Sequence, residues 1–485
     1  METPQKATLK FSAILLGLGV FIVLWALPLG DVFTPAAHKT LAVAALMVVW
    51  WLTEAVPIAV TAMLPIVLFP LLGISDIGDV TESYGDKIIF LFMGGFVIAL
   101  ALEKCNLHTR IALNIIKRTG VNANRVVLGF MIATAFLSMW ISNTATAVIM
   151  FPIAMSVLQL LIGKKVENIT NKGHLNFAIS IMLAIAYSAN IGGITTIIGT
   201  PPNTVLIGLL ENNYELQLGF SNWLIMAMPL AIILLWATYW ILTRVFFPNK
   251  MGDLPIAGNV IEEKLRELGK MTKQEKLVSV IFSLTAILWI LRAPLNDLIG
   301  DNLLSDTGIA MTGAILMFAT PANLKQNEFL MDWPTMKRLP WGILILFGGG
   351  LALAAAMNKT GIIEMIGDAV ATYQGYPHWL IIVIVVGIML FLTEFMSNVA
   401  LVTVFLPMLF GIVQGLGMDL LPIAIPVTLA SSCAFMLPMS TPPNAIVFGS
   451  GYLRIKDMVK AGWLLNIISI LVLAFLGTKL VEWVF

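Results

Sequence analysis

Charge is scarce in this sequence. Only 11% of its 485 residues are Asp, Glu, Lys or Arg, while 59% are hydrophobic, far too little polar surface to clothe a water-soluble globule. A mean hydropathy of +0.93 agrees, and the chain reads as an all-α polytopic membrane protein set in a lipid bilayer. The net charge of +1 offers no basic surface to nucleic acid, because the charges fall in short clusters between apolar runs. Cysteine is nearly absent: Cys105 and Cys433 lie in or beside apolar runs, with no metal-ligand or oxidoreductase spacing, and read as packing residues. The four histidines, His38, His108, His174 and His378, fall in loops or segment ends and are expected at the surface. No P-loop is present, so ATP does not drive this chain. No Ser/His/Asp, HExxH or paired-aspartate arrangement sits within the apolar runs, which argues against hydrolytic chemistry.

The apolar runs are long enough to cross a bilayer core, which takes about 20 residues. Cytoplasmic loops carry the excess of Lys and Arg, so each loop can be given a side. Lys6 and Lys10 put the N-terminus inside. Phe11 to Leu29 is longer than a signal h-region and reads as the first membrane helix; helices follow at about Leu41–Leu52, Pro57–Gly73 and Ile88–Leu102. The loop with Lys104, Arg110, Lys117, Arg118 and Arg125 is inside. The run from Val126 to Ile162 is then bounded by Lys164, Lys165 and Lys172, again inside, so it must turn round within the membrane as a hairpin. Leu175 to Leu210, interrupted by Gly192-Gly193 and Gly199-Thr200-Pro201-Pro202, is expected to be a broken helix. A sixth helix (about Trp223–Phe247) returns to a charged, amphipathic linker, Asn249 to Lys276. The second half repeats the order: helices to about Pro340–Met357, a hairpin within Trp379–Leu416, a broken segment Pro422–Ser450 and a last helix Trp463–Val484. The sum is about eleven spans plus two re-entrant hairpins, with the C-terminus outside. The hairpins enter from opposite faces, so the halves are inverted-topology repeats, the architecture of secondary transporters.

Spacing supports the duplication. Ser142-Asn143-Thr144 and Ser397-Asn398-Val399 are 255 residues apart, Gly199-Thr200-Pro201-Pro202-Asn203 and Ser440-Thr441-Pro442-Pro443-Asn444 are 241 apart, and Gly94 and Gly348 are 254 apart. Irregular backbone at membrane depth is tolerated only where it is buried in protein or lines a wet cavity. Ser138, Ser142 and Asn143, matched by Thr393, Ser397 and Asn398, with carbonyls freed at Gly199 and Ser440, offer neutral hard oxygens of the kind alkali cations accept. Two equivalent clusters suggest two sodium sites. In Thr-Pro-Pro-Asn the Thr suits an N-cap and the Pro a first helical position, so both phrases start half-helices whose free N–H groups suit an anion. Proton coupling is the competing driving force. Glu54 and Glu394 are the acids nearest apolar segments, and Glu394, which aligns with Met139, reads as a structural polar anchor.

These residues resemble one known family, the divalent anion:sodium symporters, the INDY-type sodium-coupled di- and tricarboxylate transporters. The resemblance runs through Trp50-Trp51-Leu52-Thr53-Glu54-Ala55-Val56-Pro57, Ser142-Asn143-Thr144, Gly199-Thr200-Pro201-Pro202-Asn203 and their second-half partners. It implies a homodimer working as an elevator, with scaffold helices in 1–104 and 277–357, transport elements in 105–247 and 358–485, and 248–276 as the linker. It implies sodium at Ser138, Ser142, Asn143 and Gly199, and at Thr393, Ser397, Asn398 and Ser440. Substrate carboxylates would meet Asn143, Thr144, Thr200, Pro201, Asn398, Thr441 and Pro442. Where dicarboxylate members often repeat Ser-Asn-Thr this chain has Val399, one hydroxyl fewer on the substrate side. The resemblance points to sodium-coupled symport of succinate, malate or fumarate; citrate or sulfate transport, and sodium-independent exchange, stay open.

Overall fold

The computed structural model describes residues 4–28, 33–162, 171–371 and 375–485, which leaves Leu29, Lys164 and Lys165 outside the described residues. α1 (Pro4–Ala26) lies along α2 (Pro35–Thr53), and Gly17 makes room there for the Trp50 indole. The span expected from Pro57 to Gly73 is two helices, α3 (Ile58–Thr61) and α4 (Leu64–Leu72). Pro65 explains the break, since its ring opposes a helical carbonyl four residues earlier, at Thr61. The Ala62 carbonyl freed by the break accepts from the Tyr84 hydroxyl.

α5 (Ile77–Glu82) leads into α6 (Lys87–Lys104). The basic stretch after it, read as a loop from sequence, holds α7 (Leu107–Thr119). Its buried face is Leu107, His108, Ala112, Leu113 and Ile116, and Arg110, Lys117 and Arg118 fall off that face. His108 is thus buried rather than at the surface, with its Nδ1 2.9 Å from the Leu102 carbonyl. The hairpin follows as α8 (Ala123–Ser138) and α9 (Asn143–Ile162), and the broken helix as α10 (Lys172–Gly193) and α11 (Pro201–Tyr214). Gly192 and Gly193 do not interrupt α10, which runs through both before it unwinds. A Cβ at Gly192 would collide with the Ala135 backbone of α8, and one at Gly193 with the Asn143 amide, so these glycines serve close approach.

α12 (Phe220–Trp240) widens into a π turn over Ile241–Phe246, and α13 (Pro255–Glu267) is the amphipathic linker helix. The second half runs α14 (Lys273–Ile299), α15 (Asp306–Ala319), an antiparallel pair β1 (Pro321–Asn323) and β2 (Glu328–Phe329) in register Pro321 with Phe329, then α16 (Trp333–Met336) and α17 (Trp341–Lys359). α18 (Ile362–Val370) precedes the second hairpin, α19 (His378–Leu392) and α20 (Asn398–Gly415). The second broken helix is α21 (Leu421–Ala430) and α22 (Pro442–Phe448), and α23 (Ile455–Leu471) continues through a π turn into α24 (Thr478–Val484).

Among the described residues, nine helical stretches are long and apolar enough to span a membrane, and six shorter apolar stretches join them. From α2 to α12 and from α14 to α23 the two halves repeat the same order of helices as inverted-topology units, except that α15 is unbroken where the first half has α3 and α4 and that the β1–β2 pair belongs to the second half. They also interlock. α6 packs on α15 through Gly94, where a Cβ would sit 2.7 Å from the Ala310 carbonyl carbon, and α17 packs on the α3–α4 break through Gly349. At the centre, α22 packs against α9 and α10, and α11 against α20. Each half-helix therefore leans on the hairpin of the opposite repeat.

Candidate functional site

The first hairpin turns between Ser138 and Asn143, and the turn is closed by one hydroxyl. Ser138 Oγ lies 2.6 Å from Asn143 Oδ1 and 2.7 Å from the Ala189 carbonyl near the end of α10. In the second repeat, Thr393 Oγ1 lies 2.6 Å from Asn398 Oδ1 and 2.6 Å from the Ser431 carbonyl. These are not the back-bonds that Ser and Thr commonly make inside helices, as Thr134 does to Phe130 and Thr428 to Ala424. A hydroxyl owns a single proton, yet in each cluster it faces two oxygens that carry none. Three oxygens with one proton between them leave a surplus of negative lone pairs, which a small cation relieves. Ser138 and Thr393 are fully buried, and Asn143 and Asn398 are half-buried at the starts of their helices.

The other expected residues divide as follows. Ser142 and Ser397 are half-buried at the hairpin turns; Ser142 Oγ accepts from the Ala145 amide, while Ser397 makes no side-chain cap. Gly199 closes the first unwound loop, where a Cβ would lie 2.5 Å from the Gly193 carbonyl. Ser440, its counterpart, donates to the Leu437 carbonyl at 2.7 Å. Thr144 is exposed, Val399 half-buried, Thr200 and Thr441 buried, Pro201 half-buried and Pro442 exposed. The Asn of each Thr-Pro-Pro-Asn phrase fastens its loop from within. Asn203 Nδ2 donates to the Thr196 carbonyl at 2.9 Å, and Asn444 Nδ2 to the carbonyls of Ala434 and Leu437 at 3.1 and 3.0 Å. A surface hollow of about 350 Å³ lies apart from these residues, between α6, α11, α14 and the start of α15.

The repeats differ in how far they unwind. α21 stops at Ala430, so residues 431–441 are non-helical, and the carboxyl of Glu394 occupies the gap. It accepts from the backbone amides of Phe435 (2.9 Å), Met436 (2.9 Å) and Leu437 (3.1 Å), and from Asn466 Nδ2 at 2.8 Å. All its donors are N–H groups, so it acts as an acceptor that replaces a lost turn of helix. Repeat one unwinds over the shorter stretch 194–200, with no carboxyl in it; there Thr196 Oγ1 ties the loop to the Met139 carbonyl at 2.5 Å. Glu394 is 1% exposed. Glu54 is instead an exposed, left-handed cap of α2.

Sequence reasoning missed Asn190. It is 1% exposed, and its Nδ2 reaches across the repeats to the Ala434 carbonyl and Thr441 Oγ1, both at 3.2 Å. The signal was an amide inside an apolar helix, nine residues before Gly199. Among the described residues no group of three or more His, Cys, Asp or Glu could hold a metal ion.

Two repeats, each with a helical hairpin and a broken helix, whose half-helices pack on the hairpin of the other repeat, define the molecule as a secondary transporter of the membrane. Residues 8–485 match the family described as the sodium:sulfate symporter transmembrane region, and the chain belongs to that family, the divalent anion:sodium symporters. It is 40% identical over 435 residues to the sodium-dependent dicarboxylate transporter SdcS of Staphylococcus saprophyticus, covering 89% of this chain and 84% of that one. The SdcS of Staphylococcus aureus strain USA300 is 42% identical over the same shares. Two solved structures share the fold at 13% identity. The Alcanivorax borkumensis YdaH transporter has a TM-score of 0.57, over 84% of this chain and 87% of that chain. Neisseria gonorrhoeae MtrF, from a class of antimetabolite efflux pumps, has 0.55, over 86% and 84%.

Proposed function

We propose that this chain is a sodium-coupled symporter of C4-dicarboxylates such as succinate, malate and fumarate. The observation that carries the sodium half is the pair of clusters Ser138–Asn143–Ala189 and Thr393–Asn398–Ser431, each with three oxygens and one proton. Neutral oxygen ligands suit an alkali cation and leave its charge free to attract an anion. Ser142 and Gly199 complete the first site, Ser397 and Ser440 the second. The dicarboxylate half is supported by the two SdcS relatives, whose names state that substrate. One carboxylate would meet Asn143, Thr144, Thr441 and Pro442, and the other Asn398, Val399, Thr200 and Pro201. The grouping follows the packing of α22 on α9 and of α11 on α20.

The rest of the reading is a homodimeric elevator in the cell membrane, with eleven spans, a cytoplasmic N-terminus and an external C-terminus. Residues 1–104 and 277–357 form the scaffold and residues 105–247 and 358–485 the moving part. Lys and Arg clusters at Lys104–Arg125 and at Arg454–Lys460 support the sidedness.

The test is uptake of radiolabelled succinate, citrate and sulfate into proteoliposomes, with external sodium replaced by potassium or choline. The reading requires saturable succinate accumulation that collapses without sodium. Undiminished counterflow in choline would make the protein an exchanger, and preference for citrate or sulfate would overturn the substrate assignment.

A further inference from the structure

We propose that Asn190 is a positioning residue that forces the Thr441 hydroxyl to act as a hydrogen-bond donor toward the transported anion. The inference deepens the symport reading and rests on it.

The geometry runs through one amide. The Asn190 amide nitrogen carries two protons, and the Ala434 carbonyl, which can only accept, fixes which end of the amide faces it. The second proton lies against Thr441 Oγ1 at 3.2 Å. The same oxygen accepts from the Asn444 backbone amide at 3.4 Å. A hydroxyl oxygen has two lone pairs and one proton. With an N–H donor against each lone pair, the Thr441 proton must point away from both. Among the described residues no hydrogen-bond acceptor is recorded for it. Thr441 is 4% exposed, beside exposed Pro442, so this proton is an oriented donor held out of bulk water. A carboxylate oxygen is its natural partner, because hydrogen bonds to ionised acceptors are the strong ones.

The device exists in one half only. The oxygen clusters match Ala189 with Ser431, so Asn190 matches Ser432, whose short, buried hydroxyl reaches no hydrogen-bond partner among the described residues. Thr200, the counterpart of Thr441, makes no side-chain cap bond. The oriented donor therefore sits on the α9 side, where Thr144 is exposed, and the end with Val399 has neither. Asn190 also follows Ala189, whose carbonyl belongs to the first oxygen cluster. A cation ordering that carbonyl would stiffen the residue that aims Thr441.

The experiment uses the full-length protein in proteoliposomes with radiolabelled succinate. Asn190→Asp is isosteric but can only accept, so the Thr441 proton turns inward. The expected result is a rise of about tenfold in the succinate half-saturation concentration, the loss of one hydrogen bond to a charged group. The sodium dependence at saturating succinate and the maximal rate stay within about twofold. Asn190→Ala frees the hydroxyl without reversing it, and the expected rise is smaller, about threefold. The added charge of Asp could repel the anion without any help from Thr441, and the double variant separates the two causes. On a Thr441→Val background Asn190→Asp has no further effect if it acts through the hydroxyl, whereas repulsion multiplies the two losses. A sodium-induced rise in melting temperature confirms that each variant folds. Wild-type affinity in Asn190→Asp, or multiplying losses in the double variant, overturns the proposal. Wild-type protein that takes up no succinate under a sodium gradient ends the symport reading instead, before any variant is compared.

Discussion

Asn143 and Asn398 each begin a hairpin helix while holding a side-chain oxygen 2.6 Å from the hydroxyl that closes the turn. Removing either amide takes away a proposed cation ligand and leaves its turn intact, because the hydroxyls keep their bonds to the Ala189 and Ser431 carbonyls. Asn143→Ala and Asn398→Ala should each abolish sodium-driven uptake in proteoliposomes while the protein stays monodisperse in detergent. Normal uptake in both would remove the site assignment. Glu394 predicts the opposite pattern. Glu394→Gln keeps the shape but turns an NH₂ group toward the amide of Phe435 or of Leu437, itself a donor, leaving that amide unpaired in a dry interior. The cost is about 3 kcal/mol, read as a melting temperature lowered with and without sodium, not as a selective loss of sodium dependence.

Among the elements, α7 and α18 are the pair that the charge pattern hid. Both begin one turn after a long helix, and Leu107 and Ile362 are 255 residues apart, the same spacing as the hairpin asparagines. Their apolar residues follow a helical period, but in α7 the basic residues between them read as a cytoplasmic loop. His108 docks the start of α7, and burial lowers its pKa from 6.5, against the smaller raising effect of the Leu102 carbonyl. The unfolded chain takes up a proton near pH 6.5 that folded α7 resists, so the neutral imidazole favours folding above pH 6.5. That advantage is lost as the pH falls from there through the lowered folded value. His108→Asn should flatten the dependence of melting temperature on pH between about 7 and 5.5; an unchanged slope would remove His108 from the account. The hairpins and broken helices, by contrast, were legible because Pro, Gly and Asn interrupt apolar runs at repeated intervals. The break at Pro65 and the gap filled by Glu394 were not, since one depends on where a ring meets a carbonyl and the other on backbone amides some 40 residues away in sequence.

At the scale of the whole molecule, transport by an elevator requires one part of the protein to slide past another, and three polar contacts on one face that must then break can be named. Lys87 pairs with Glu211 at 2.6 Å, Asn212 Nδ2 donates to Asp86 Oδ2 at 2.9 Å, and the Phe220 amide donates to Asp306 Oδ2 at 3.1 Å. All three join the proposed scaffold, at the starts of α6 and α15, to the proposed moving part, at the end of α11 and the start of α12. They lie on one face, around the hollow that Arg292 and Asp306 also line. Their combined energy is modest, because Lys87 is more than half exposed and a surface ion pair is worth under about 1 kcal/mol, so the latch can open at each turnover. A covalent link cannot. Cysteines in place of Asp86 and Asn212, joined by a short cleavable bis-thiosulfonate, should stop succinate uptake while leaving sodium-dependent succinate binding in detergent intact, and reductant should restore uptake. Cys433 is buried and Cys105 half-buried, so the wild-type chain treated alike is the control. Cross-linked protein that still transports at the uncross-linked rate would show that α6 and α11 do not separate during the cycle, and the moving boundary would have to be redrawn with α11 inside the scaffold.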